Sequence, residues 1–412
     1  MTSIESRASW TAAWTALAIL SVIYGAPLLA VVGLKPIAAD LGVSRSDISL
    51  ASSLLWLGTG TGGILMGWLA ERVGIRRIGL LGAVSIGLGV LVSTRGGLLG
   101  LYVGHGLLIG LLGNACFNAP MMVYVSRWFD RRCGTALALI TSGQYIAGAI
   151  WPSLFERGIA AFGWRWTMLA FGVVEVATIL PISLVFLRPP PRGPAPGTHG
   201  GGPLPGSSVL GLPPNLVLVL MSVAIFLCCI PMALPTAHLV AFCSDLGFSG
   251  AVGAAMLSVL QIAAVVSRQF WGWIADRVGG LRAVLLGSAF QAVTLGMFLV
   301  TQSETGLFLV AGAFGLGFSG IVPGYYLAVR QLYPTSETAW RIPTLSFSGL
   351  GAMAAGAWLG GALYDHFGSY AMAFAVGVAC NLANLVIIGF LVSQTRSGSP
   401  RVLVAAAVGS AT

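Results

Sequence analysis

Carboxylates are scarce in this sequence: 12 of its 412 residues are Asp or Glu, and all charged residues together make up 8%. Soluble domains carry about a quarter charged residues. A water-exposed surface cannot be built from so few charges, so lipid must cover much of the chain. Metal-ligand spacing is missing too. The histidines His105, His199, His238 and His366 are scattered, and the cysteines Cys116, Cys133, Cys228, Cys229, Cys243 and Cys380 lie mostly inside apolar runs as small hydrophobes. That excludes a zinc or haem site, and no cofactor is expected. There is no paired-carboxylate, phosphate-loop or nucleophile constellation, which excludes the common enzyme classes. No polar segment is long enough to be a soluble signalling domain, which argues against a membrane sensor.

What is abundant is apolar sequence, 57% of the residues. A transmembrane helix needs about 20 mostly apolar residues. Twelve such stretches occur, at 12–36, 48–70, 77–94, 98–125, 134–156, 165–187, 215–241, 249–274, 282–302, 305–330, 342–364 and 370–393. The first follows Arg7, is too long for a signal-peptide core and lacks a small-residue cleavage site, so it is expected to be retained. The longest interruption, 188–214, is dense in proline and glycine and cannot continue a helix. The sequence therefore predicts an all-α membrane protein with an N-terminal six-helix bundle (1–187), a linker (188–214), a C-terminal six-helix bundle (215–394) and a tail (395–412).

The net charge of +9 is distributed as a topology signal. The basic residues form short clusters between apolar stretches, with no aromatic-and-basic stripe of the kind single-strand binders use, so nucleic acid is not expected as a partner. With the N-terminus inside, fifteen arginines fall on the cytoplasmic side: Arg7, Arg72, Arg76, Arg77, Arg127, Arg131, Arg132, Arg188, Arg192, Arg277, Arg282, Arg330, Arg341, Arg396 and Arg401. Five basic residues fall outside: Lys35, Arg45, Arg95, Arg157 and Arg165. The excess puts both termini in the cytoplasm.

One basic residue belongs to neither set. Arg268 sits about two turns before the end of the eighth stretch, and no acid lies one turn earlier, where Ala264 stands. A guanidinium keeps its proton and is costly to bury in hydrocarbon. It must face a polar cavity or find an anion, and a carboxylate can grip it through two parallel hydrogen bonds. The alternative is that Arg268 snorkels to the headgroups or to a backbone carbonyl. Gln261, seven residues earlier, shares its helix face.

The two halves repeat. GWLAERVG at 67–74 matches GWIADRVG at 272–279 in six of eight positions. The same 205-residue offset pairs Phe162-Gly163 with Phe367-Gly368 and Gly172 with Gly377. Six helices separate the copies, so both face one side, as in a parallel repeat.

These segments resemble the loop signature of the major facilitator superfamily: Gly67, Glu71, Arg72, Gly74, Arg76 and Arg77 in the first copy, and Gly272, Asp276, Arg277, Gly279 and Arg282 in the second. The resemblance implies a conformational-gating role for them, with the acid at the end of helix 2 meeting the positive end of a helix from the other half. Two stretches, 127–172 (Trp128, Phe129, Arg131, Arg132, Gly134, Ser142-Gly143, Gly163-Trp164-Arg165) and 237–280 (His238, Asp245-Leu246-Gly247, Arg268), resemble the monocarboxylate porters and the oxalate–formate exchangers. The drug-exporter branch fits less well: Gly106 stands where it has an arginine, and helix 5 lacks a Gly-Pro pair.

The resemblance implies carriage of a small organic anion by alternating access, in a bacterial inner membrane, by a single chain acting as a monomer. It makes Arg268 the anion-binding residue. It also puts helices 1, 4, 5, 10 and 11 around the cavity, and with them Tyr24, Asn114, Asn118, Gln144, Tyr145, Tyr325, Tyr326, Ser346 and Ser348 as substrate contacts or helix–helix hydrogen-bonding groups. The sequence departs from the family pattern in three places. Leu28, not lysine, follows Pro27; Ala264 replaces an acid; Gly349 stands where the exchanger has a second cation. One cation favours a monoanion. Arginine cannot shuttle protons, so proton symport would need another group: His238, also a substrate-site candidate, then His105 or Glu175. Anion exchange, or export of a different small solute, is the alternative.

Overall fold

The computed structural model describes residues 5–129, 132–189 and 209–397. Most of the proline-rich linker, the tail beyond 397, and Arg131, Arg192, His199 and Arg401 lie outside the described residues.

Among the described residues eleven helices are long and apolar enough to cross a membrane. They are α1 (Arg7–Val32), α2 (Arg45–Val73), α3 (Ile75–Arg95), α4 (Gly97–Ser126), the long stretch Thr135–Phe186, α7 (Pro214–Asp245), α8 (Gly250–Val278), α9 (Gly280–Val300), α10 (Glu304–Leu332), α11 (Thr335–Phe367) and α12 (Ala371–Ser397). The long stretch reverses at Gly163, whose φ of 79° and ψ of 164° no helix tolerates. It therefore makes two crossings, α5 before Gly163 and α6 after it, and the twelve expected spans are present. A short helix, Leu34–Leu41, extends α1 beyond the expected end at 36. The apolar side chains that remain exposed, such as Ile64, Trp166, Val173, Val266, Leu309 and Val386, project outward, as lipid-facing residues do.

The repeat read from the loops extends through the packing. In the first half a Cβ on Gly110 would meet the Leu55 carbonyl oxygen at 2.7 Å; in the second, a Cβ on Gly315 would meet the Leu260 carbonyl oxygen at 2.1 Å. Both pairs are related by the same 205 residues. Small residues let α2 cross α4, and α8 cross α10, with backbones in contact. In α4 the tight crossing coincides with a π-helical stretch, Val103–Asn114, which no pattern in the sequence announces. The gating loops also match. Gly74 and Gly279 take φ of 89° and 86°, Arg72 lies 3.8 Å over the Trp68 ring, and Arg277 lies 3.6 Å over the Trp273 ring.

Several spans are interrupted, each for a local reason. Pro27 has no N–H to give and its ring crowds the carbonyl four residues back, so α1 breaks at Tyr24. Pro323 does the same to α10, which breaks at Ser319-Gly320. In α5 the break is at Ser142, whose hydroxyl donates to the Ala138 carbonyl at 2.9 Å. The two halves meet along α2 with α11, α5 with α8, and α1 with α7.

Candidate functional site: a lone arginine and a charged seal

Arg268, half-buried on α8, is surrounded by residues from the interrupted helices. Its guanidinium carbon lies 5.3 Å from the ring centroid of Tyr145 on α5. Tyr24, at the break of α1, and Tyr326, just after the break of α10, lie within electrostatic range of it. Tyr326 adjoins the Ser346 hydroxyl of α11. Each half contributes aromatic hydroxyls, and the arginine sits where they converge. Among the described residues no carboxylate pairs with Arg268. Arg341, a buried arginine, does pair: Glu337 accepts from its Nη2 at 2.6 Å and from its Nε at 2.9 Å.

Gln261 sits in the contact between halves rather than in open space. A Cβ on Gly148 of α5 would lie 2.5 Å from its Cγ, and its Oε1 is buried without a partner. Asn114 is also buried with neither amide atom partnered, while Asn118, Gln144 and Ser348 are half-buried. Tyr325 turns away from Arg268 and donates to Asn384 Oδ1 of α12 at 2.7 Å. Gly349 packs beside Ile225 and Cys229 of α7, an apolar setting.

The proton-coupling candidates scatter. His105 Nδ1 is 3.0 Å from the Ser93 hydroxyl in the α3–α4 interface, with Nε2 unpartnered. Glu175 of α6 is fully buried and neither carboxyl oxygen has a partner. His238 is 1% exposed, and its partners among the described residues are Ala357 and Tyr370, not Arg268. Its Nε2 meets the Ala357 carbonyl at 2.8 Å, so that nitrogen carries the proton, and Nδ1 faces the Tyr370 hydroxyl at 3.3 Å.

His238 lies instead behind a cluster that sequence reasoning missed. At the face away from the chain termini, Asp245 at the end of α7 accepts from Arg45 Nη1 (2.5 Å) and Nη2 (2.8 Å) at the start of α2, and from Lys35 (3.0 Å). Arg45 also donates to the Tyr370 hydroxyl at 3.2 Å and stacks 3.7 Å over Tyr364. Asp365 of α11 caps the start of α2 through the backbone N–H groups of Arg45 and Ser46. Ser53 donates to the Ala354 carbonyl at 2.6 Å, and the Ser153 and Ser258 hydroxyls face each other at 3.4 Å. All of these cross between the halves. The only hint in the sequence was the Asp245-Leu246-Gly247 turn; that its partners are Lys35 and Arg45, some two hundred residues away, is not written there.

At the opposite face the expected gating acid behaves differently from the sequence reading. Glu71 pairs with Arg127 of its own half at 2.8 Å and not with a helix of the other half. Asp276, its counterpart, makes no ion pair among the described residues.

This geometry has relatives. The family model described as "Major Facilitator Superfamily" matches residues 6–339 and again 232–409. "Monocarboxylate transporter 13" of Rattus norvegicus is 28% identical over 324 residues, covering 76% of this chain and 73% of that protein. The "Uncharacterized MFS-type transporter YcxA" of Bacillus subtilis (strain 168) is 24% identical over 349 residues, 83% and 85% of the two chains. Among solved structures, a bacterial homolog of the human lysosomal transporter Spinster, inward-facing and unoccupied, superposes with a TM-score of 0.71 at 13% identity over 95% and 96% of the chains. The peptide transporter POT in complex with sulfate does so with a TM-score of 0.72 at 15% identity over 95% and 94%. The chain belongs to the Major Facilitator Superfamily and, by that membership, is a membrane-embedded secondary transporter of small solutes rather than an enzyme.

Proposed function

We propose that this transporter carries small organic monoanions, with Arg268 taking the substrate carboxylate. The observation that carries this reading is the half-buried guanidinium with no carboxylate partner among the described residues, set among Tyr24, Tyr145 and Tyr326. A travelling carboxylate would complete the pair through two charge-assisted hydrogen bonds, and the phenols would supply further donors. The similarity to a protein named as a monocarboxylate transporter supports the same class. One cation, with Gly349 in an apolar setting, favours a monoanion over a dianion.

In this reading the cluster at Asp245 is the outer seal. With a bacterial inner membrane as its setting, the fifteen-to-five bias of basic residues favours cytoplasmic chain termini, and the seal then faces outward. The halves are joined on that side, and the loop pair Glu71–Arg127 is free of the other half, as an inward-facing carrier requires. A single chain contains every element of the cycle.

Proton coupling would act through the seal. With the His238 proton on Nε2, Nδ1 accepts from Tyr370, whose oxygen in turn accepts from Arg45. Arg45, Asp365, Tyr364 and Tyr370 are the titratable groups around it. A proton on Nδ1 would remove that acceptor and place a second cation beside Arg45, loosening its hold on Asp245. The test is uptake into proteoliposomes with a competition panel of lactate, pyruvate, formate, oxalate and longer acids, with and without a pH gradient. Competition confined to short monocarboxylates and stimulation by an inward proton gradient are expected. Competition by no carboxylate rejects the substrate class; indifference to the gradient rejects symport in favour of exchange.

A further inference from the structure

A second cationic site lies outside the transport route. At the ends of α2, α3, α4 and α6 on the face of the chain termini, a cavity of about 630 Å³ opens between helices of the first half. Among the described residues four arginines line it: Arg76, Arg77, Arg127 and Arg188. Its one acid among the described residues, Glu71, is taken by Arg127. Arg76, Arg77 and Arg188 therefore face a shared space in which the described residues offer no carboxylate left unpaired. The linker that follows cannot neutralise them, since residues 190–208 contain no Asp or Glu.

The internal repeat shows that this charge is not demanded by the fold. At the offset of 205 residues, Arg76, Arg127 and Arg188 become Leu281, Leu332 and Ser393. In the second half Gln331 reaches into the corresponding loop and accepts from the Gly280 N–H at 2.9 Å. In the first half the place is open, and Tyr124 stands at its wall. Its hydroxyl, close to Trp128 and the Arg188 backbone, meets neither at hydrogen-bonding geometry. The cavity also has an apolar side. Val123, Leu184 and Val185 line it and are 43%, 38% and 54% exposed, on helices whose outer faces meet lipid.

We propose that this cavity binds the phosphate group of an acidic phospholipid, with Arg76, Arg77 and Arg188 on the phosphate oxygens and the acyl chains along Val123, Leu184 and Val185. Guanidinium groups match phosphate through paired hydrogen bonds, and basic pockets between membrane helices take such headgroups. The occupant touches Gly67, Gly74 and the Glu71–Arg127 pair, so binding would stabilise this loop in the state described here. The assignment is independent of the transported solute.

The test uses the full-length purified protein, examined by native mass spectrometry after equilibration with phosphatidylglycerol, phosphatidylcholine or soluble glycerol phosphate. The variants are R76Q/R188Q and, as a control of equal charge change in the second half, R282Q/R330Q; size-exclusion profiles establish that each is folded. The expected result is retention of one phosphatidylglycerol in preference to phosphatidylcholine, lost by roughly tenfold or more in R76Q/R188Q and kept in the control. Equal retention by wild type and R76Q/R188Q, or equal loss in the control, overturns the site. Displacement of the lipid by glycerol phosphate at matched concentration overturns the lipid assignment and gives the site to a soluble phosphate ester.

Discussion

Two arginines withdrawn from water show how a single side chain divides structure from function. Arg341 has Glu337 one turn earlier and Tyr333 beneath it at 4.1 Å, so its charge is spent within the protein. Arg268 has Ala264 one turn earlier and tyrosine rings around it, so its charge is available. Arg268→Gln should lower carboxylate uptake in proteoliposomes by about a hundredfold, the loss of two charge-assisted contacts, while leaving the thermal unfolding profile unchanged. Arg268→Lys should restore little of it, since an ammonium cannot present the paired donors. Near-normal uptake by either variant would remove Arg268 from the substrate site. This arginine was legible because one charge inside an apolar run is conspicuous. The neighbours were less so: Tyr325 and Tyr326 are adjacent in sequence, yet one helical step, about 100°, sends Tyr325 to Asn384 and leaves Tyr326 near Arg268.

At the scale of helices, the site is made by interruptions. Breaks at Tyr24, Ser142 and Ser319-Gly320 bring bulky polar side chains inward where a regular apolar helix would offer Leu or Val. Glycine crossings hold those helices at the required depth. Gly315→Val should therefore cost at least about 1–3 kcal/mol, because its Cβ would meet the Leu260 backbone oxygen, which cannot swing aside. Gly272→Ala, where no atom lies within 4 Å of the added carbon, should fold as wild type. Thermal stability followed by size exclusion distinguishes the two, and equal stability would show that the α8–α10 crossing is looser than described.

At the scale of the molecule, the two bundles are held on one face by a small set of charges. Asp245 receives both Arg45 and Lys35, which gives two of the five basic residues on that face a carboxylate partner; Arg165, beside Asp40, is a third. Asp245→Asn should shift the population toward separation of α2 and α7 at this face. Spin-label distances between those helix ends in a cysteine-replaced background should lengthen and broaden. Arg45→Asp/Asp245→Arg should recover much of the short distance by reversing the pair. An unchanged distribution in Asp245→Asn would mean that the apolar and helix-capping contacts, including Asp365, suffice to close the face.

The sequence by itself determined the class, the twelve crossings, the repeat and the exceptional arginine. Each is a local or periodic property: twenty apolar residues span a bilayer wherever they stand, and two copies of one loop motif announce two similar halves. Only the tertiary structure decided which distant charges meet. Asp245 with Lys35 and Arg45, His238 behind Tyr370, and the open basic cavity of the first half all depend on how two bundles and their helices are rotated against one another. Rotation about a helix axis changes a side chain's partners without changing the hydrophobic length that lipid requires, so the chain's apolar pattern carries no record of it.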